Sequence, residues 1–261
     1  MADISEPTLA RAGFWRRFGA FAVDFLLVAI PFQLIAAALF AVSNGMIQSG
    51  SGLLANSCVD LDAVPPGLQT MIENPNEVRD CRKTFFGLDT ARELSVSRVE
   101  KVSETFTTRV TERFWLDANG QLTDRLGNRI DWIFVVGLFL YLILLDSRRG
   151  ATVGGRLLKT RITDMTQSQA VGLPLGRAAL RRLAPLAGFL PFAVCGALVW
   201  TIVGSAQDDL TAMVQHPLYP VVFYGGLLIG VAWIIWIAIA AARKRDPIHD
   251  RLARAAVFRS Q

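Results

Sequence analysis

The sequence predicts an α-helical integral membrane protein. It has four transmembrane helices, both termini cytoplasmic, and a small β-rich extracytoplasmic insert between helices one and two. Three observations carry this expectation. Hydrophobic residues make up 52% of the 261 positions and charged residues 19%, against about 45–50% and about 25% in soluble domains. The charges are segregated, which leaves four apolar windows close to the ~20 residues that cross a ~30 Å hydrocarbon core as a helix. Finally, of 27 Lys and Arg residues, three fall in the N-terminal tail, eight between the second and third windows and six after the fourth. In a four-helix topology those segments share one side, and the positive-inside rule makes that side the cytoplasm.

In chain order, residues 1–17 form a cytoplasmic tail with Arg11, Arg16 and Arg17, and helix one spans 18–43. Its apolar run is much longer than the ~7–15 residues of a signal-peptide core and carries Asp24, so it reads as a retained helix. Asp24 is the anomaly. An ionised carboxylate inside a bilayer costs roughly 2.5–3.5 kcal/mol on insertion scales, and such residues are paired or functional. Arg17 precedes Asp24 by two helical turns on nearly the same face. The rise of about 10 Å is too long for a direct ion pair. Pro31 removes an intrahelical hydrogen bond further along that face.

Residues 44–130 are a polar insert with ten basic and twelve acidic residues, long enough to translocate regardless of charge. "ELSVSRVEKVSETFTTRVTERFW" alternates β-branched or aromatic with charged residues, as half-buried strands do. Asn119-Gly120 is a hairpin-turn signal. Cys58 and Cys81 both lie in this module, and an oxidising compartment would suit a disulfide between them. The alternative is two free thiols. Cys195, in helix three, reads as a small core hydrophobe.

Helix two spans 131–146 and is short. The loop 147–182 follows, with "DSRRGATVGGRLLKTRITD" reading as a basic amphipathic segment on anionic headgroups. It lacks the pattern of a phosphate-cradling loop. Helix three spans 183–204, where Pro185 and Pro191 suggest a bend. A short outer loop, 205–218, carries His216, Asp208 and Asp209. Helix four spans 219–242, and its Gly226 and Gly230 form a close-packing face, within the chain or in a homo-oligomer. Trp15, Trp132 and Trp200 sit near helix ends as interfacial anchors. The cytoplasmic tail, 243–261, places Ile248, Leu252, Ala255 and Ala256 at helical spacing. There Asp250, beside Arg251, could accept from a loop arginine such as Arg156 or Arg161 and clamp the tail to the loop. "RRLAPLAGFL" at Arg181 loosely echoes "RRFGAFAVDF" at Arg16, with Phe189 in place of Asp24.

Three of these stretches together resemble the RDD family of multi-pass membrane proteins, named for one arginine and two aspartates. "RRFGAFAVDFLL" resembles the first-helix signature and makes Arg17 and Asp24 its first two letters. "GATVGGRLLKTRITD" is similar to the segment after helix two. "IHDRLARAAV" is similar to the closing His-Asp-Arg segment, with Asp250 as the second aspartate. The sequence departs at Gly155, where many members have lysine, and at Ala256, where many have threonine. The resemblance implies a transport role with no defined ligand.

Two functions follow as expectations. One is a small transporter or cation/proton exchanger with Asp24 as its titratable site and Arg17 shaping the local potential. The other is a non-transporting membrane scaffold or assembly factor whose outer module binds a partner. Neither calls for a cofactor, and His216 and His249 lie too far apart to hold a metal. No nucleophile elbow, Walker loop or dinucleotide fingerprint is present, so no enzyme is expected. The basic balance is explained by topology and anionic inner-leaflet lipid, without nucleic acid. The implied partners are the lipid bilayer, those lipids, and a second copy or a membrane-complex partner. The expected location is a bacterial-type inner membrane.

Overall fold

Helix α1, Phe14–Val42, is a single 29-residue helix that runs through Pro31. It begins a computed structural model that describes residues 10–51, 53–65, 68, 70–101, 107–123, 128–166, 171–203 and 218–259. The outer loop 205–217, with Asp208, Asp209 and His216, lies outside the described residues, as do the side chains of Cys195 and Trp200. The chain divides into two units, residues 25–138 and residues 1–24 with 139–261.

The four-helix membrane architecture is overturned. Among the described residues, two helices are long and apolar enough to cross a membrane, Phe14–Val42 and Val221–Ala242. Their outer surfaces are apolar and unpacked, with Ile35 57% and Leu228 69% exposed, as lipid-facing helices require. The helix predicted over 131–146 is α2, Asp131–Arg149, 19 residues that include Asp131, Asp146, Arg148 and Arg149. So many charges leave no apolar span of sufficient length. The helix predicted over 183–204 is broken. Helix α4, Leu175–Leu183, gives way at Pro185 to a 3₁₀ turn, Ala184–Phe189, before the 14-residue α5, Leu190–Val203. Fourteen residues span about 21 Å, short of the ~30 Å core.

In the unit of residues 25–138, strands β2 (Ala55–Leu61), β3 (Glu77–Phe85), β4 (Leu88–Lys101) and β5 (Thr107–Trp115) form an antiparallel sheet in chain order. Its core is small: Val78 sits opposite Val96, and Leu94 opposite Phe114, with Leu116 beside them. Cys58 and Cys81 are directly opposed on β2 and β3 and are joined by a disulfide. The turn at Asn119-Gly120 is present, with Gly120 at φ +85°. Gly120 N–H donates to Asp117 O (3.1 Å), and a single bridge pairs Leu116 with Leu122. Short strands β1 (Ile47–Gln48) and β6 (Asn128–Arg129) pair in parallel. Buried Gln48 is fully satisfied: its amide donates to Gly45 O and Leu116 O, and its Oε1 accepts from Arg92 N–H.

The other unit holds a second sheet. Helix α3 (Val153–Leu157) leads to β7 (Thr160–Asp164), which pairs antiparallel with β8 (Ala255–Arg259). Within the loop expected over 147–182, the described residues thus include a short helix and a paired strand. The helical spacing of the C-terminal tail holds only for α7, Ile248–Leu252. Arg254 then takes a left-handed φ of +49°, and the chain turns into β8, where pairing with β7 outweighs helix periodicity. Ala12 N–H donates to Val257 O (2.9 Å), and Arg259 N–H to Ala10 O (2.8 Å), so the N-terminal tail joins the edge of β8. The core sets four alanines, Ala12, Ala178, Ala253 and Ala255, against Ile162, Leu173 and Val257. Helix α6, Leu218–Ala242, packs its glycine face within the chain. A Cβ on Gly226 would lie 2.9 Å from Phe192, and one on Gly230 2.4 Å from the Phe189 ring.

Candidate functional site: a buried ion-pair chain and the Asp24 contact

All the geometry of interest lies within the unit of residues 1–24 and 139–261. Arg17, in the first turns of α1, gives its Nε–H to Ala12 O (3.0 Å) and pairs through Nη1 with Asp250 on α7. The other oxygen of Asp250 accepts from Arg181 Nε (2.7 Å). Arg181, at the end of α4, also donates from Nη1 to Asp146 Oδ2 (2.7 Å) near the end of α2. Arg182 closes on both oxygens of Asp146, at 2.6 and 2.8 Å. Charges therefore alternate along Arg17, Asp250, Arg181, Asp146 and Arg182, and tie α1, α2, α4 and α7 together. Asp146 and Asp250 are wholly buried. A buried carboxylate is tolerated only when paired and hydrogen-bonded in this way. Arg11 and Asp246 form a further ion pair beside the chain.

The electrostatics follow from this packing. Burial alone would raise the Asp250 carboxyl, but Arg181, then His249 and Arg17, hold it down at about 2. His249 is pushed the other way, to about 4. Burial is the largest cause; Asp250 pulls the other way, and Arg181, Arg17 and Arg182 add to the depression. Its imidazole is neutral at pH 7, with Nε2 3.6 Å from Asp250.

Asp24 has a different set of partners. It is 1% exposed, and its Oδ1 accepts from the Tyr141 hydroxyl (2.8 Å) and the Gly154 N–H (2.7 Å). Tyr141 in turn accepts from Val153 N–H (3.2 Å), and Thr152 Oγ1 from Gly155 N–H (3.0 Å). Three successive N–H groups at the start of α3 are thus met by Tyr141, Asp24 and Thr152, which is what the open end of a helix demands. Position 154 needs glycine, because a Cβ there would come 2.0 Å from Ala20 O. The glycine pair in "GATVGG" lets α3 approach α1 closely enough for the contact.

The structure brings Arg17 and Asp250 together and places Asp24 elsewhere. Arg156, Arg161 and Arg251 are exposed, and the clamp on Asp250 is made by Arg17 and Arg181 instead. Sequence reasoning missed Asp146, Arg181 and Arg182 as one network, as well as Tyr141 and Gly154. The available signal was Asp146 itself, an acid at the end of an apolar helix facing arginine pairs at 16–17 and 181–182.

A half-open cavity of about 410 Å³ adjoins the cluster. Phe18 and Phe21 of α1 and Ile234, Ile237 and Ala238 of α6 form apolar walls, and Arg17, Asp24, Arg181, Arg182 and His249 supply its polar end. Among the described residues, no group of three or more His, Cys, Asp and Glu is arranged to hold a metal ion.

The RDD family profile matches residues 121–254, just over half of the 261-residue chain. The match includes Asp146, Gly154, Arg181 and Asp250, while Arg17 and Asp24 precede it. No curated protein and no solved structure matches the chain.

Proposed function

The chain belongs to the RDD family, and from that premise we propose that it is a non-catalytic, non-transporting membrane scaffold or assembly factor whose sheet module engages a partner. One observation carries this reading: each signature charge is committed to a bond that holds the fold. Arg17 and Asp250 pair with each other, and Asp24 satisfies the start of α3. The reading puts the chain in a bacterial-type inner membrane, crossing through α1 and α6, and puts the disulfide-bearing module in an oxidising compartment.

Transport is the second reading, favoured by Asp24 lining a cavity beside the Tyr141 hydroxyl. The arginines at the same end of that cavity make it a poor seat for a cation. Proteoliposomes carrying wild type or Asp24→Asn at matched insertion separate the two. The scaffold reading expects no cation-driven proton movement from either. It also expects a stoichiometric crosslinked partner that is lost on deleting residues 60–125. Flux in the wild type that disappears in the variant would replace it with the transport reading.

A further inference from the structure

The tip of the β3–β4 hairpin carries a residue that its turn disfavours. Phe85 pairs with Leu88, so Phe86 and Gly87 form a two-residue loop, and both take positive φ, +48° and +84°. That is the pattern of a type I′ turn, whose first position favours Asn, Asp or Gly. A bulky side chain at positive φ is an outlier. Phe86 is also 90% exposed and Leu88 50%, although the Phe86 ring lies edge-on against Phe85. A strained, outward-facing aromatic does nothing for the free hairpin and points to something that covers it.

Contacts within the unit of residues 25–138 fix where the tip lies. Past the end of α1 the chain turns back: Gly45 N–H donates to Phe40 O, and Ser51 O accepts from Gln33 Nε2 (2.5 Å). Residues 45–51 thus descend along α1 to a level nine residues inside its end at Val42, about 13 Å by helical rise. The hairpin descends beside them. Arg92 N–H donates to Gln48 Oε1 (3.1 Å), Ser49 N–H donates to Thr90 O (2.9 Å), and a Cβ on Gly50 would lie 3.2 Å from Lys83 Nζ. Followed from Arg92 back to Leu88, β4 therefore runs the same way as 48–51, and Leu88 comes level with Ser51 and Gln33. Phe86 lies beyond. Around Gln33, α1 turns Ile30, Leu34 and Ile35 outward. Ser49, Gly50 and Ser51 all donate to Asp131 Oδ1, and the adjoining Trp132 is exposed, a mixture suited to a membrane–water interface. We propose that the β3–β4 tip dips into the outer leaflet beside α1. Phe86 and Leu88 enter the acyl chains, and the Arg82–Asp89 ion pair stays at the headgroups. This rests on α1 crossing a bilayer, as in the reading above, and holds whether or not the sheet also engages a protein.

The test uses the full chain in vesicles of phosphatidylcholine and phosphatidylglycerol, doped with a phosphatidylcholine that carries a diazirine on one acyl chain. Labels are mapped by mass spectrometry after photolysis and digestion. The wild type should be labelled on residues 85–88 as well as on α1 around Ile30, Leu34 and Ile35. Phe86→Asn places before Gly87 the residue that a type I′ turn favours, so its Tm in detergent should not fall. Its tip labelling should drop by about tenfold or more, because the buried ring is gone, with α1 labelling unchanged. A labelled α1 with an unlabelled tip would overturn the proposal while leaving the membrane reading intact. An unlabelled α1 would overturn both, so the two failures are distinguishable from the wild type alone, even should the variant not fold. Equal tip labelling in the wild type and Phe86→Asn would also overturn it, since Phe86 would then contribute nothing to insertion.

Discussion

Arg17 and Asp250 stand 233 positions apart in the chain and form a buried ion pair. Asp250 is wholly inaccessible, and its second oxygen is taken by Arg181. Both of its oxygens are therefore engaged, and removing the carboxylate leaves two guanidinium groups facing each other in a low-dielectric interior. Breaking one partner of a buried pair costs roughly 3–5 kcal/mol. Asp250→Ala is expected to lose that much in a denaturant titration of the detergent-solubilised chain. Asp146→Ala should lose a comparable amount, because Arg181 and Arg182 both depend on it. The double variant should lose less than the sum, since both sites share Arg181. Strict additivity would show that the five charges do not act as one network.

Asp24 and Gly154 give a sharper contrast. Asp24→Asn keeps an acceptor oxygen for Tyr141 and the Gly154 N–H, so only the charge assistance of two hydrogen bonds is lost, about 1–2 kcal/mol. Gly154→Ala forces a methyl to within 2.0 Å of Ala20 O, and α3 must move away from α1. The larger loss of Tm is thus expected from the glycine, the chemically milder change. A greater loss from Asp24→Asn would mean that the carboxylate does more than satisfy the start of α3.

The sequence reveals those features set by local pattern and run length. Helices α1 and α6 follow from apolar windows, and strands β4 and β5 from alternation. The turn at Asn119-Gly120 follows from glycine at positive φ. The ladder between β7 and β8 joins residues more than 90 positions apart (Ile162 with Val257), and no local signal in "ARAAVF" distinguishes a strand from a helix. Likewise, Arg17 and Asp24 share a helix face in sequence, yet their partners come from α7 in one case and from α2 and α3 in the other. Chemistry marks a buried charge as needing a partner; only the fold determines which.

Acid should weaken this unit in two successive windows. The His249 imidazole is held at about 4 in the folded chain, against 6.5 for an ordinary histidine. As pH falls through 6.5 the unfolded chain takes up a proton that the folded chain refuses, so stability is complete above 6.5 and declines toward 4. The loss is on the order of 3 kcal/mol. Asp250 is held at about 2 against 3.8. Its contribution is present above 3.8 and disappears as pH falls toward 2. Thermal unfolding between pH 7.5 and 4.5 is expected to show Tm falling below 6.5 in the wild type and much less of that decline in His249→Gln. The same slope in both proteins would assign the transition to another group.

Reduction of the Cys58–Cys81 disulfide should act on the sheet module. The bond links adjacent strands across a sequence separation of 23, and closing a loop of that size in the unfolded chain contributes about 3–4 kcal/mol in the chain-entropy model. The module has few other reserves. Its core cluster centres on Val78, Leu94, Val96 and Leu116, and β2 is exposed along its whole length. Without the disulfide, β2 has its pairing with β3 to hold it, so it is expected to be the first strand to open. Hydrogen exchange on the reduced chain, or on Cys58→Ser with Cys81→Ser, should show amides of residues 55–61 losing protection while those of 91–97 keep it. Uniform loss across all four strands would mean that the sheet unfolds as one cooperative unit. Unchanged protection would mean that ladder pairing alone holds β2.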